Sequence, residues 1–100
     1  MPLLEFHPLA IKEVRAAHRW YRRRDPAAAA RFQSAFDVAT MGIESNPNAS
    51  SKYLLGTQVV RLKKFPYFIV FKIVAPDQLF SFAVAHERRA PGYWRKRLRK

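Results

Sequence analysis

An almost unbroken run of apolar, β-prone side chains, YFIVFKIV over residues 67–74, constrains this chain more than any other feature. Such a run is typical of a central strand that is covered on both faces. It is far too short to cross a bilayer. The turn sequence Ala75-Pro76-Asp77 then reverses the chain, so the next strand runs antiparallel to it. We therefore predict a sheet with residues 67–74 in its interior.

Two further strands flank this run. Residues 57–64 alternate between apolar and basic side chains, which predicts a strand with one basic face. Residues 78–85 form the last strand, and strict alternation places Phe80, Phe82 and Val84 on one of its faces. We therefore expect three consecutive strands that form an antiparallel meander.

Two helices precede the meander. Apolar residues recur at helical spacing on one face of each helix, whereas the first helix also carries a basic stripe. Asp25-Pro26 supplies the N-cap and the first residue of the second helix, and Asn46-Pro47 ends that helix. The apolar residues 3–6 predict an N-terminal edge strand. The order β-α-α-β-β-β therefore predicts an α+β fold, in which a helical hairpin packs on the sheet.

The composition limits the partners and the chemistry. Nineteen Lys and Arg against seven Asp and Glu give a net charge of +12, which favours polyanions or an acidic protein as partners. The absence of Cys excludes disulfides, Cys-ligated zinc and thiol catalysis, and agrees with a reducing cytoplasm. His7 and His18 have no carboxylate or Cys at metal-ligand spacing, so we predict no metal, and we expect no cofactor. We expect a cytoplasmic protein with no membrane role.

The last strand leads into a cluster of basic and aromatic residues. Arg and Lys neutralise phosphate, whereas His and Tyr transfer protons or stack on bases. An imidazole titrates near neutral pH and a phenol only near ~10, so His86 is the better proton-transfer candidate, and base stacking suits Tyr93 equally well. Each residue also has a structural interpretation, because His86 could cap the sheet and Trp94 could pin the C-terminal segment to the core. We expect one domain over residues 1–100, in which residues 93–100 form a basic tail. The segment after Tyr93 could form a short helix, but its charge density and terminal position favour flexibility until a partner is bound.

Two motifs, KKFPY over residues 63–67 and AVAHERRAPGYW over residues 83–94, resemble the RelE/ParE toxin superfamily. The resemblance covers nearly the whole chain, includes the Trp20-Tyr21 pair and is strongest to bacterial plasmid-stabilisation toxins. It implies the toxin of a type II toxin–antitoxin pair. Such a toxin forms a hetero-oligomer with an acidic antitoxin that covers its basic surface.

The superfamily contains two activities on one fold, so the fold does not choose between them. RelE-like toxins are ribonucleases that cut messenger RNA in the ribosomal A site. ParE-like toxins bind DNA gyrase and need no catalytic residue. By position after the last strand, Arg89 and Tyr93 correspond to an active-site Arg and Tyr of RelE-like toxins, and His86 to a residue that is often basic.

We therefore predict a ribosome-dependent, metal-independent mRNA endoribonuclease with His86, Arg89 and Tyr93 as its catalytic residues. The predicted phosphate-binding residues are Arg61, Lys63, Lys64, Arg88 and Arg95. Two positions depart from the ribonuclease pattern, because Glu87 and Phe68 stand where cleaving relatives often carry cations. The alternatives are a noncatalytic, ParE-like inhibitor of DNA gyrase and a plain basic nucleic-acid-binding module.

Overall fold

The computed structural model describes residues 2–98. Its helices and strands, in chain order, are β1 Leu4–Phe6, α1 Pro8–Arg24, α2 Pro26–Ser45, β2 Ser51–Lys52, β3 Gln58–Arg61, β4 Tyr67–Ala75 and β5 Gln78–His86. Short 3-10 turns occur at Pro47–Ala49, Leu54–Gly56 and Arg95–Leu98. No helix among the described residues is long and apolar enough to cross a membrane.

The five strands form one mixed sheet in the order β1-β5-β4-β3-β2. Neighbouring strands from β2 to β5 run antiparallel, and β4 lies in the middle of the sheet as predicted. β1 is an edge strand that pairs parallel with β5, with Leu4 opposite Leu79. The α+β class and the helical hairpin are confirmed. The additional strand β2 is two exposed residues long, so it has no apolar alternation that the sequence could reveal.

Local capping signals place the helix ends. The His7 Nδ1 atom accepts a hydrogen bond of 3.0 Å from the Leu9 backbone N–H at the start of α1. The Asp25 carboxylate accepts one of 3.0 Å from the Ala27 N–H at the start of α2, with Pro26 as the first helical residue. These contacts satisfy N–H groups that have no partner within the helix. The predicted start of the second helix at Asp25-Pro26 is therefore confirmed.

The main core lies between the helical hairpin and the sheet. Phe32 of α2 is fully buried there, and its ring centroid lies 5.4 to 5.6 Å from those of Tyr21, Phe65 and Tyr67. Burying one such aromatic side chain stabilises a fold by about 1.5–3 kcal/mol. Because Tyr21 belongs to α1 and Tyr67 to β4, this cluster joins both helices to the sheet.

The C-terminal segment covers part of the opposite face of the sheet. Trp94 is 1% exposed and packs against Val70 and Ala83 in a second, smaller cluster. Residues 95–98 continue as a 3-10 turn. This packing agrees with the structural interpretation of Trp94 and with the short-helix alternative for the segment after Tyr93. Residues 99 and 100 of the predicted tail lie outside the described residues.

β5 contains a bulge that the sequence did not reveal. Along β4 the pairing advances by one residue, from Val70 to Phe71, while along β5 it moves by two, from Ala83 to Ser81. Phe82 is therefore an extra, unpaired residue, and it inverts the alternation of side chains along the strand.

The bulge overturns the predicted face of β5. Val84 pairs with Ile69, which lies in the core beneath the helices, whereas the Phe80 and Phe82 rings lie 5.0 Å apart on the other side of the strand. The prediction that Phe80, Phe82 and Val84 share one face is wrong, because the extra residue shifts the phase between Phe82 and Val84.

Candidate functional site

A cleft of about 460 Å³ opens between α1 and the ends of β4 and β5. It brings together His86, Arg89 and Tyr93, which the sequence predicted as catalytic residues. Glu13 and Trp20 of α1 form part of its wall. No three His, Asp or Glu side chains within residues 2–98 come close enough to hold a metal ion. The side chains that line the cleft include one cation, one histidine and several aromatic rings.

The carboxylate of Glu13 is the centre of the hydrogen-bond network beside this cleft. It accepts hydrogen bonds from the Val84 backbone N–H at 3.0 Å, from the Tyr93 hydroxyl at 2.7 Å and from two nitrogens of the Arg97 guanidinium at 3.0 Å each. The Arg97 and Glu13 side chains are only 13% and 16% exposed. This pair is bidentate and shielded from water, the geometry in which charge-assisted hydrogen bonds are strong.

The same pair covers the part of β5 that β1 leaves open. β1 pairs with β5 only as far as Ser81. Beyond that point Glu13 accepts the Val84 N–H, and Arg97 donates to the Phe82 carbonyl at 3.0 Å. Unpaired backbone groups at a strand edge are costly when buried and adhesive when exposed. Glu13 and Arg97 therefore complete the sheet edge and attach the C-terminal segment to it.

The Tyr93 hydroxyl is engaged in structure. Burial raises the pKa of Tyr93 well above its ordinary value, and the hydrogen bond and negative charge of Glu13 raise it further, despite the opposing charges of Arg97 and Arg89. The phenol is therefore protonated at neutral pH and donates a hydrogen bond to Glu13. The Arg89 guanidinium carbon lies 3.8 Å from the centroid of the Tyr93 ring, a cation–π contact. Tyr93 thus positions Arg89 at the cleft.

His86 stands at the end of β5, where its ring is held on two sides. Its Nδ1 atom accepts the Arg88 backbone N–H at 3.0 Å, and the ring centroid lies 5.0 Å from that of Tyr67 in an edge-to-face contact. In the neutral ring the proton therefore resides on Nε2. This geometry agrees with the predicted structural role at the strand end, and it also leaves the Nε2–H group as a hydrogen-bond donor.

The predicted phosphate-binding residues are not gathered at the cleft. None of the five lines it: Arg61, Lys63, Lys64, Arg88 and Arg95. Arg61 donates a hydrogen bond of 2.8 Å to Glu87, which offsets its charge. A different depression, between α2 and the β3–β4 turn, is lined by Arg61, Lys63 and Lys64. Among the predicted site residues, the structure brings only Arg89 together with His86 and Tyr93.

The sequence analysis missed Glu13 and Arg97. Glu13 is the one acidic residue of α1 and lies on the same helical face as the buried Ala10 and Ala17. A carboxylate on an apolar helical face requires a polar partner inside the fold. That signal could have identified Glu13 as part of a buried network, although it does not name Arg97 as the partner.

Comparisons with known proteins agree with this architecture. The family model described as "ParE toxin of type II toxin-antitoxin system, parDE" matches residues 4–91, which run from β1 to the loop after β5. The fold is similar to a solved structure of the chromosomal ParDE toxin–antitoxin system from P. aeruginosa. The TM-score is 0.72 at 14% sequence identity, and the match covers 86% of this chain and 96% of that one. No curated protein gave a significant match. The resemblance to the RelE/ParE superfamily is confirmed, and the chain belongs to the ParE toxin family of type II toxin–antitoxin systems.

Proposed function

We propose that this toxin arrests bacterial growth by binding DNA gyrase in the cytoplasm and carries out no chemistry of its own. Family membership makes the chain a toxin, and the resemblance described above links ParE-like toxins to gyrase. The observation that favours binding over RNA cleavage is the state of Tyr93. Its hydroxyl donates a hydrogen bond of 2.7 Å to Glu13, and its raised pKa opposes a role as a proton acceptor.

RNA cleavage would place three demands on the cleft. The 2′-hydroxyl must lose a proton, the phosphorane must be stabilised, and the leaving 5′-oxygen must gain a proton. Glu13 is a poor base, because its oxygens already accept four hydrogen bonds. Of the predicted cations, Arg61 is paired with Glu87 and only Arg89 lines the cleft. The arrangement offers the Nε2–H of His86 as a hydrogen-bond donor and one cation, which is a weak basis for cleavage.

The cleft has features of a protein-binding surface. Trp20 is half exposed on its wall, and the Arg24 guanidinium carbon lies 3.6 Å from the centre of the indole ring. Tyr67 and Arg89 lie on the same cleft. Trp, Tyr and Arg are the residues that most often dominate the binding energy of protein interfaces. The exposed indole of Trp20 is therefore the proposed anchor for gyrase.

A supercoiling assay with purified gyrase and toxin freed of antitoxin tests this proposal. Supercoiling should fall as toxin is added, and the Trp20→Ala variant should lose the effect. Leu9→Ala is the matched control, because Leu9 is an exposed apolar residue of the same helix outside the cleft. The Tyr93→Phe variant should retain inhibition, because the Tyr93 hydroxyl bonds to Glu13 and not to a partner. Unchanged supercoiling at saturating toxin would refute the proposal.

RNA cleavage is the second candidate, and His86 is the observation that favours it. Its neutral ring carries the proton on Nε2, and Arg89 lies at the same cleft. Primer extension across abundant messages, before and after induction of the toxin alone, separates the two functions. New cuts that vanish in His86→Gln would establish cleavage, whereas arrest without new cuts supports a protein target. Expression without growth arrest would favour the plain nucleic-acid-binding module.

A further inference from the structure

A further depression, of about 460 Å³, lies between α1 and α2. The side chains of α1 that line it include three arginines and one histidine, namely Arg15, His18, Arg19 and Arg22. None of its lining residues lines the cleft that contains His86 and Arg89. We call the three arginines, Arg15, Arg19 and Arg22, the α1 stripe. The proposed action on gyrase gives the stripe no role.

The α1 stripe is a row of like charges on a helix. Its three side chains are exposed and follow one another three or four positions apart. From Arg15 to Arg22 the stripe extends over about 10 Å of the helix axis. Like charges at this spacing repel each other and destabilise a helix. A ligand with several negative charges in a row would relieve this repulsion along the whole stripe, whereas a single small anion would not span it.

The charges of the stripe are free of acidic partners within the part of the chain that the structure describes. No carboxylate of residues 2–98 forms an ion pair with a stripe arginine, whereas Arg31, Arg61 and Arg97 are each paired. On α2, the carboxylate of Asp37 accepts a hydrogen bond of 2.9 Å from Gln33, which lines the depression. The positive charge of the stripe is therefore available to a ligand.

The chemistry and the length of the stripe fit a row of phosphates. A guanidinium group presents its N–H donors in a planar fork that matches two oxygens of one phosphate. Along one strand of duplex DNA the phosphates follow one another at about 3.4 Å of helix axis, so about three of them fall within the length of the stripe. The stripe therefore matches a nucleic acid backbone in both charge and extent.

The depression offers no surface on which bases could stack. No exposed aromatic side chain of residues 2–98 lines it, because Phe36 is half-buried and its ring centroid lies 5.6 Å from that of Phe6. Single-stranded nucleic acids are bound through aromatic side chains that stack on their exposed bases. The absence of such a side chain favours a duplex, in which the bases are already stacked on one another.

We propose that the α1 stripe binds the phosphate backbone of duplex DNA without reading its sequence. The choice of DNA over duplex RNA rests on the proposed function, because gyrase itself acts on duplex DNA. The cleft and the stripe lie on different faces of α1, with Trp20 on one face and Arg15 and Arg22 on the other. One toxin molecule can therefore contact a protein through the cleft while its stripe holds DNA.

Fluorescence anisotropy with a short labelled DNA duplex and full-length toxin freed of antitoxin tests this proposal. The matched control for Arg15→Gln/Arg22→Gln is Lys52→Gln/Lys96→Gln, which removes two charges from exposed positions outside α1. The stripe variant should raise the dissociation constant at least tenfold over this control. It should also reduce the slope of log affinity against log salt concentration by about 2. Arg15→Lys/Arg22→Lys keeps both charges and should retain most of the affinity.

Trp20→Ala separates DNA binding from the proposed action on gyrase. This variant should lose inhibition of supercoiling and keep its affinity for DNA, and the anisotropy assay contains no gyrase. DNA binding by the stripe can therefore hold even if inhibition of gyrase fails.

Three results would overturn the proposal. The first is an equal loss of DNA affinity in the two charge-matched variants. The second is tighter binding of duplex or single-stranded RNA of the same sequence than of duplex DNA. The third is unchanged DNA affinity in the stripe variant together with weaker binding of the antitoxin, which would assign the stripe to that protein.

Discussion

The hydroxyl of Tyr93 donates a hydrogen bond of 2.7 Å to the carboxylate of Glu13, eighty positions away in the sequence. The same carboxylate holds Arg97 and the Val84 backbone N–H. One acidic side chain of α1 thus joins the first helix, the last strand and the C-terminal segment. The wall of the candidate cleft is therefore assembled from segments that are distant in the sequence, and its geometry depends on Glu13.

Glu13→Gln should destabilise the protein strongly. An amide at this position keeps one acceptor oxygen but places an NH₂ group among donors, so Arg97 loses its counter-charge while it remains largely buried. We expect a loss of about 2–4 kcal/mol in the free energy of unfolding, measured in urea. Glu5→Gln is the control, because Glu5 is exposed on β1. Equal losses in the two variants would contradict the assigned role of Glu13.

Arg97→Gln and Arg95→Gln form a matched pair at the C-terminal segment. Both remove one charge, but only Arg97 is bonded to Glu13 and to the Phe82 carbonyl, whereas Arg95 is exposed. Arg97→Gln should cost about 2 kcal/mol of stability and Arg95→Gln less than about 0.5 kcal/mol. A double-mutant cycle between Glu13→Gln and Arg97→Gln should show strong coupling. Additive effects would show that the ion pair does not stabilise the fold.

Local signals account for the parts of the fold that the sequence predicted. Asp25 followed by Pro26 determines a helix start within a few residues, and the apolar run of β4 needs no distant partner to be recognised. The bulge at Phe82 carries no such signal, because it arises from the pairing of two strands. Because of this one extra residue, the sequence analysis assigned Val84 to the wrong face of β5. The sequence analysis likewise did not predict that β1 pairs parallel with β5, because that pairing also joins segments that are distant in the sequence.

The sequence predicted that His86, Arg89 and Tyr93 belong to one site, but it did not predict their hydrogen-bond partners. His86, Arg89 and Tyr93 meet at one cleft, because the end of β5 and the segment after it lie beside α1. The sequence could not show that the hydroxyl of Tyr93 is committed to Glu13, since contacts between α1 and the C-terminal segment depend on the whole fold. Nor could the sequence show that Arg61 is paired with Glu87, because that contact joins β3 to the segment after β5.

The Tyr93 phenol should make stability depend on alkaline pH. Burial and Glu13 raise its pKa above the ordinary phenol value of about 10 that the unfolded chain retains. The stability that depends on the protonated phenol is complete below about pH 10 and is lost as pH rises towards the folded-state pKa. Above pH 10, the free energy of unfolding should thus fall more steeply for the wild type than for Tyr93→Phe. Comparing the two cancels the contributions of Tyr21 and Tyr67, whose pKa values burial also raises. Parallel curves would contradict the prediction.

Glu87→Gln should increase the affinity of the toxin for RNA. Glu87 accepts a hydrogen bond of 2.8 Å from Arg61, and both side chains are about half exposed, at 43% and 52%. Such an exposed pair contributes less than about 1 kcal/mol to stability, so its loss should leave the fold intact while it frees the Arg61 guanidinium. Asp77→Asn is the control, because it removes one negative charge from the exposed β4–β5 turn. Fluorescence anisotropy with a single-stranded RNA should show tighter binding for Glu87→Gln than for Asp77→Asn, and a steeper dependence of affinity on salt. Equal affinities would show that Arg61 does not contact phosphate even when Glu87 releases it.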